Sequence, residues 1–414
     1  MAKWKSEYDQ IELAKRIEET RKESPDGKVK FEGFITKLHQ SLLYSMIDFS
    51  HEIPEIDGRR IANKAIFKAG EKGDITEKRL LTEIKNLERD YLNKPFQRFV
   101  LVTSISLGIM STFHRIYLKG RNQIIIEPRL PGRFLREELQ IRKQANHILF
   151  TEPPSNYLAV RVHVAARSPY HAAELALDNL DFVRGIWNFI ENRRHTIRWS
   201  SGKPSPVNEI ILGPYHFLHY LNGKLASESI FWYEKSYLGA IRPHTFADIQ
   251  NCEDYTNKIK TYIKKSNYAK EIKVAIIRYS RALDERIWDH AFTRLWGVLE
   301  LLTNTMGPRY SQSVTIKRAA YFYKEYDFAH QILKQLRDYR NRSIHADAEN
   351  SEIEAYLYQL KNIIEDLLHF HIFNSFKFNS LNDAGRFLDL PHDKDALKLR
   401  ADMANYALEC FYSK

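Results

Sequence analysis

The sequence has few of the features that mark secreted, cysteine-metal or membrane proteins. Cys252 and Cys410 are the only cysteines among its 414 residues, which excludes a disulfide framework and a zinc site built from cysteines. No run of residues approaches the roughly 18 apolar positions that a membrane-spanning helix needs, and the most apolar stretch, residues 99–110, is short and rich in β-formers. Residues 1–23 are charged and lack an apolar segment, so we expect no signal peptide, no membrane association and a cytoplasmic protein.

Several motifs of common enzyme classes are also missing. The sequence contains no phosphate-binding P-loop, no dinucleotide-binding fingerprint and no Gly-x-Ser-x-Gly elbow. Two histidines, His369 and His371, lie two positions apart on a predicted helix and therefore point in different directions, which argues against a metal site formed by this pair. We therefore expect no metal ion and no other cofactor.

Basic residues are in excess. Lys and Arg number 63 against 52 Asp and Glu, which gives a formal net charge of +11. A surplus of this size favours a polyanionic partner, with nucleic acid as the first choice.

The pattern of apolar residues changes along the chain and predicts an α+β fold. We expect a mixed α+β domain over residues 1–240, a linker over residues 241–254, an all-helical bundle over residues 255–375 and a helical tail over residues 376–414. The first domain is expected to hold the strands, because β-branched and aromatic runs separated by turn residues occur only there. Beyond the linker the apolar residues recur at helical spacing.

Individual elements follow from the same periodicities. Helices are predicted over residues 75–93, with Thr76 as a candidate N-cap, and over residues 170–191, where Ser168 provides the N-cap. A single long helix is predicted over residues 270–304. Residues 30–50 mix aromatic and apolar positions without a clean period, so strand and helix both stay open there. The predicted strands are residues 99–107, 115–118, 123–126, 157–164, 209–212 and 230–233.

The densest concentration of chemistry-bearing residues is the segment 336–345. It carries Arg337, Arg340, Asn341, Arg342 and His345 within ten residues. Histidine exchanges protons near neutral pH, and the planar fork of arginine matches two phosphate oxygens. Metal-free cleavage of RNA needs both tasks, because a proton must leave the ribose 2′-hydroxyl or reach the 5′-oxygen while charge grows on the phosphate. Asn341 would bind the phosphate or fix the tautomer of His345.

The spacing of Arg340 and His345 raises a geometric question. On a regular helix, an offset of five residues turns a side chain by about 140°. Arg340 and His345 can act on one substrate only if the helix ends or distorts between them, or if a second copy of the site meets the first.

The Arg340-Asn341-x-x-x-His345 pattern, placed between helices, resembles the signature of HEPN ribonucleases. The resemblance covers roughly residues 255–375 and is closest to the ApeA-like HEPN subfamily. Similar residues surround the motif at Arg278-Tyr279, Trp296-Gly-Val-Leu-Glu300, Lys317-Arg318-Ala319-Ala320 and Leu336-Arg337-Asp338-Tyr339.

This resemblance implies a metal-independent endoribonuclease that acts as a toxin or an abortive-infection effector against phage and cuts tRNA, mRNA or rRNA. It implies a homodimer, or a higher even-numbered oligomer, with two motifs in one composite cleft. Arg340 would stabilise the phosphate, His345 would act as general acid or base, and Asn341 would orient the site. Glu300 is a candidate partner of the motif arginine. The region before residue 240 would sense a trigger or bind an inhibitory or activating protein.

Other interpretations of the same residues stay open. An arginine near the end of a helix interacts favourably with the helix dipole without any catalytic role. The chain is then a non-catalytic nucleic-acid-binding protein, or a regulatory or scaffold protein that uses the basic bundle for assembly. Trp288 and Trp296 are expected in the core rather than as base-stacking platforms.

Overall fold

The protein has an α+β fold, as the sequence predicts. The computed structural model describes residues 1–23, 29–31, 34–108, 114–118, 120, 122–144, 154–193, 205–226, 232–234, 237, 239–307, 310–343 and 352–412. Among these residues, no helix combines the length and the apolar character required to cross a membrane.

The first 92 residues form a mainly helical unit with its own apolar core. Its elements are β1 (Lys3–Trp4), α1 (Gln10–Glu19), β2 (Arg21–Glu23), β3 (Val29–Phe31), α2 (Phe34–Met46), β4 (Ile47–Asp48), α3 (Glu55–Glu71) and α4 (Glu77–Leu92). The predicted helix with Thr76 as N-cap is confirmed as α4, because the Thr76 side chain accepts a hydrogen bond from the Arg79 backbone N–H. Most of the ambiguous segment 30–50 is helix α2. Its apolar residues show no clean period because they occupy the exposed side of this helix as well as the buried side.

A six-stranded antiparallel sheet follows, in the order β10-β9-β5-β8-β7-β6. The elements of this region are β5 (Gln97–Ile105), β6 (Arg115–Tyr117), β7 (Gln123–Glu127), α5 (Gly132–Gln144), β8 (Leu158–Ala166), α6 (Pro169–Asn192), β9 (Tyr215–Tyr220) and β10 (Trp232–Tyr233). The central strand β5 is buried along most of its length, because α6 covers one face and Phe134 of α5 packs on Val100 and Val102 on the other.

The predicted strand over residues 209–212 is wrong, and the strand in this part of the chain is β9 instead. Only Leu212 forms an isolated bridge, to Ile105. The reason is that other groups bind the backbone here: the Ile210 carbonyl accepts hydrogen bonds from Arg184 and Asn188 of α6, at 3.0 and 2.9 Å. These backbone groups are therefore not available for a regular ladder.

Helix α6 connects the sheet to the helical part of the chain. Ser168 caps it, as predicted, and accepts a hydrogen bond from the His171 backbone N–H at 3.1 Å. Further along, α6 contacts α8 (Ala269–Leu283) very closely at Gly185. A Cβ atom there would lie 2.8 Å from Ile276 Cγ2. The absence of a side chain at this position lets the two helices approach.

The remainder of the described chain is helical. It comprises α7 (Ile249–Lys265), α8, α9 (Trp288–Leu302), α10 (Gln312–Ala320), α11 (Tyr326–Ser343), α12 (Ile353–Phe373), α13 (Leu381–Phe387) and α14 (Lys394–Tyr412). α7 begins inside the predicted linker, and every described residue of α14 is exposed.

The single helix predicted over residues 270–304 is wrong, because α8 and α9 are separate helices. The Leu283 carbonyl, which would continue the helical hydrogen bonds, accepts one from the Asn208 backbone N–H at 3.1 Å. Asp284 is the C-cap of α8, and its carboxylate is bound by Arg184. Contacts to distant parts of the chain therefore replace the local bonds at the break.

One apolar core runs from the sheet into the helical bundle. It contains Leu101 of β5, Trp187 of α6, Tyr279 of α8 and Ile364 of α12. The sheet and the bundle therefore stabilise each other, while the limits of the predicted domains stay a prediction.

Candidate functional site

The basic motif lies in the last two turns of α11, which is described as far as Ser343. Arg337 lies three and four positions before Arg340 and Asn341 and is therefore next to both on the helix surface, whereas Arg340 and Asn341 themselves are consecutive and point about 100° apart. His345 lies outside the described residues. The pairing of Arg340 with His345 therefore stays a prediction.

Arg340 lies over an aromatic ring of the bundle. Its guanidinium carbon is 6.0 Å from the centre of the Trp296 ring on α9, which is within the range of a cation–π interaction. The indole is buried, with 1% of its surface exposed, as predicted for a core tryptophan. Its Nε1–H donates a hydrogen bond to Glu300 Oε1 at 3.0 Å. Glu300 thus fixes the ring over which Arg340 lies. The predicted pairing of Glu300 with Arg340 itself stays a prediction.

Asn341 is held by a second helix. Its side-chain amide exchanges two long hydrogen bonds with the amide of Gln312 at the start of α10, at 3.3 and 3.4 Å. Both groups are near the surface, and Asn341 itself is exposed. An amide that is oriented but still accessible can turn toward a phosphate or an imidazole, which is the role predicted for Asn341.

The two flanking arginines differ in their surroundings. Arg337 donates two hydrogen bonds to Asp338 Oδ1, at 2.9 and 2.7 Å, so part of its charge is compensated. Arg342 is exposed in the last turn of α11. Of the two, Arg342 is therefore the better placed to meet an external phosphate.

Tyr339 anchors this end of α11 to α9. Its hydroxyl donates a hydrogen bond to Asp289, and its ring packs edge-on against Phe292 with centroids 5.0 Å apart. Burial, followed by the hydrogen bond to Asp289, raises the pKa of Tyr339 well above its usual range. The phenol therefore stays neutral and serves as a positioning group.

Arg318, which lies in one of the segments on which the predicted HEPN resemblance is based, has a structural position. It is buried and forms a two-pronged ion pair with Asp389, at 2.9 and 2.7 Å, and it also donates to the Thr303 carbonyl at 2.7 Å. These bonds close the C-terminal end of α9. Its guanidinium is thereby committed to the fold rather than to a substrate.

His371 is likewise part of the core. Its Nε2 bonds the Leu302 carbonyl at 2.8 Å, and its Nδ1 lies 3.2 Å from the Tyr268 hydroxyl. Burial lowers the pKa of His371 to about 4 although the Leu302 carbonyl opposes the shift. The ring is neutral at physiological pH, and both of its nitrogens are used by hydrogen bonds within the bundle.

Sequence reasoning missed the residues that position the motif, above all Gln312 and Asp289. Gln312 and Asn341 are 29 positions apart, and Asp289 and Tyr339 are 50 apart. No local pattern marks such pairs. Comparison with family models, with curated proteins and with solved structures finds no match to the chain.

Proposed function

We propose that the chain is an endoribonuclease that cleaves RNA without a metal ion, with Arg340, Asn341 and His345 as its catalytic residues. The observation that carries the proposal is that Arg340 and Asn341, adjacent near the end of α11, are each held by a contact with a different helix. A phosphate-binding pair held in place by other helices, with a histidine four positions after it in the sequence, suits phosphodiester cleavage.

In this mechanism the reacting groups come from the RNA itself. The ribose 2′-oxygen attacks the adjacent phosphorus and the bond to the 5′-oxygen breaks, which leaves a cyclic phosphate. His345 takes the 2′-hydroxyl proton or supplies one to the leaving oxygen, and Arg340 neutralises the charge that grows on the phosphate. Arg342 and Arg337 bind flanking phosphates.

The proposal includes a homodimer in which two motifs share a cleft. A second copy solves the angular problem of the five-residue offset, because Arg340 of one subunit and His345 of the other can then face one phosphate. The protein would act in the cytoplasm as a toxin or an abortive-infection effector. Residues 1–240 would hold the regulatory surface, and α6 from this region shares its core with the bundle.

The test is cleavage of total RNA and purified tRNA in the presence of a chelator. We expect cleavage by the wild type and a loss of about 100-fold or more in Arg340→Ala and in His345→Ala, the range for removal of an acid–base or oxyanion-binding group. The matched controls are Arg16→Ala in α1 and the exposed His51→Ala, which should cleave normally. Equal cleavage by all five proteins, or none by the wild type in vitro together with harmless expression in bacteria, would sink the proposal.

A second candidate is non-catalytic binding of nucleic acid, and the contact between Arg340 and Trp296 favours it. That contact gives Arg340 a reason to be present without any reaction. In this case RNA binding weakens steeply with salt, decreases in Arg340→Ala and Arg342→Ala, and is unchanged in His345→Ala. His345→Ala therefore separates the two functions, because it abolishes cleavage but leaves binding unchanged.

A further inference from the structure

Three side chains from separate parts of the chain form a compact cluster beside the end of the sheet. Glu191 belongs to the last turn of α6, Glu209 precedes β9, and His244 lies between β10 and α7. One nitrogen or oxygen atom from each of them lies within 4.8 Å of the others. We propose that this cluster binds a divalent transition-metal cation, with Zn²⁺ as the ion that fits best.

The orientation of the imidazole supports the proposal. His244 Nδ1 lies 2.6 Å from Glu209 Oε2, whereas His244 Nε2 lies 3.6 Å from Glu191 Oε2. A carboxylate in close contact with Nδ1 favours the proton on that nitrogen and leaves the lone pair on Nε2, as carboxylates do for histidines that bind metals. Glu209 is therefore the positioning residue, and Nε2 is the ligand atom.

The distance between His244 Nε2 and Glu191 Oε2 has the value expected for two ligands of one metal ion. A separation of 3.6 Å is too long for a hydrogen bond. Two ligands at about 2.1 Å from a tetrahedral Zn²⁺ ion are about 3.4 Å apart. His244 is nine-tenths buried, and its Nε2 atom has no hydrogen-bond partner in the described part of the chain. A buried ring nitrogen without a partner, directed at a buried carboxylate, is costly unless a ligand lies between them.

The cluster is held by backbone contacts that exist without an ion. The His244 N–H donates to the Ser106 carbonyl at 2.9 Å, and the His244 carbonyl accepts from Gly108 N–H at 2.8 Å. The Ser106 hydroxyl donates to the Glu209 carbonyl at 3.0 Å. Ser106 thus ties two of the three residues to the end of β5, so an ion would meet preplaced ligands.

Solvent reaches the cluster through a cleft of about 410 Å³ lined by Asn208, Glu209, Arg242, His244 and Thr245. Water from this cleft would complete the coordination of the ion, because His244 and Glu191 supply only two ligands. The mixture of imidazole nitrogen and carboxylate oxygen favours Zn²⁺ over Mg²⁺ and Ca²⁺, which prefer ligand sets made only of oxygen. No residue of the cluster belongs to α9, α10 or α11, so this site is independent of the proposed ribonuclease motif.

The experiment is a titration of full-length protein, freed of metals by a chelator and dialysis, with ZnCl₂ in a calorimeter. A parallel measurement follows the thermal midpoint, which rises when an ion binds the folded state only. We expect one Zn²⁺ per chain and a higher midpoint, whereas MgCl₂ should have no effect. Neither readout depends on RNA cleavage, so failure of the ribonuclease proposal and failure of this one are distinguishable.

Substitutions in the three cluster residues test whether the ion binds there. Glu191→Gln and His244→Gln should weaken Zn²⁺ binding at least tenfold, and Glu209→Gln should weaken it by about 10–100-fold, the effect typical of a residue that orients a ligand. The exposed His51→Ala is the matched control and should bind like the wild type. Circular dichroism confirms that each variant is folded, and Glu191→Gln, which keeps the size of the side chain, provides a second variant if His244→Gln unfolds. Stoichiometric binding that is unchanged in both Glu191→Gln and His244→Gln, or no binding by the wild type, overturns the proposal.

Discussion

Arg184 of α6 and Asp284 at the end of α8 form a two-pronged ion pair across 100 positions of sequence, with both N–O distances at 2.7 Å. Arg184 is almost completely buried, and Asp181 binds it as well, at 2.7 Å. Burial works against its charge, but Asp284 and Asp181 outweigh it and raise the pKa of Arg184. The charged pair therefore joins the sheet-covering helix to the bundle at the point where α8 ends.

Removal of Asp284 should leave a buried charge with only part of its compensation. We expect Asp284→Ala to lower the free energy of unfolding by about 3 kcal/mol, as is usual when one partner of a buried pair is removed. The measurement is urea denaturation followed by circular dichroism. The control is Asp178→Ala, because Asp178 pairs with Arg281 at a half-exposed position and should cost less than about 1 kcal/mol. Equal losses in the two variants would contradict a special role for the Arg184–Asp284 pair.

Two helical glycines should respond in opposite ways to the same substitution. A Cβ at Gly185 would lie 2.8 Å from Ile276 Cγ2 and 3.0 Å from the Ile276 carbonyl oxygen. Gly185→Ala should therefore push α6 and α8 apart and destabilise the fold by about 1–3 kcal/mol. A Cβ at Gly297 in α9 meets no described atom within 4 Å, so Gly297→Ala should stabilise the helix by up to about 1 kcal/mol. Thermal unfolding of the two variants measures both effects. A Gly185→Ala protein as stable as the wild type would show that the contact between α6 and α8 relaxes.

Acid should destabilise the protein through His371. The pKa of this histidine is about 4 in the folded protein and about 6.5 in an unfolded chain. Between these values the unfolded chain binds a proton that the folded site refuses, so stability decreases as the pH falls from about 6.5 to about 4. The contribution is about 3 kcal/mol over the whole window.

The measurement is the free energy of unfolding as a function of pH for the wild type and for His371→Gln. Burial also lowers the pKa of His163 to about 4, so some slope should persist in the variant. We expect the slope between pH 6.5 and pH 4 to be smaller in His371→Gln than in the wild type. Parallel curves would mean that His371 does not titrate in this window.

The composite cleft of the proposed ribonuclease can be tested by mixing two inactive variants. Arg340→Ala retains His345, and His345→Ala retains Arg340. If the arginine of one subunit works with the histidine of the other, mixed dimers regain one competent pair and part of the cleavage activity. Chains refolded together are compared with each variant alone and with the wild type. No recovery, although mixed dimers form, would place both residues of a working pair in the same chain.

Elements with local signals could be predicted from the amino-acid sequence. The apolar spacing and Thr76 specified α4, Ser168 specified the start of α6, and runs of β-branched residues specified β5 and β8. Such features depend on side chains and backbone groups a few positions apart, which is the range that periodicity and capping report.

Features that depend on distant partners arise only in the folded chain. The break between α8 and α9 exists because Asn208 binds the Leu283 carbonyl and Arg184 binds Asp284. The cluster of Glu191, Glu209 and His244 forms because Ser106 gathers two of its segments at the end of β5. In each case a hydrogen bond to a residue far away in the sequence competes with, or adds to, the local structure that the neighbouring residues favour. No short stretch of the sequence contains both residues of such a hydrogen bond, so the packing of the whole chain decides the local structure.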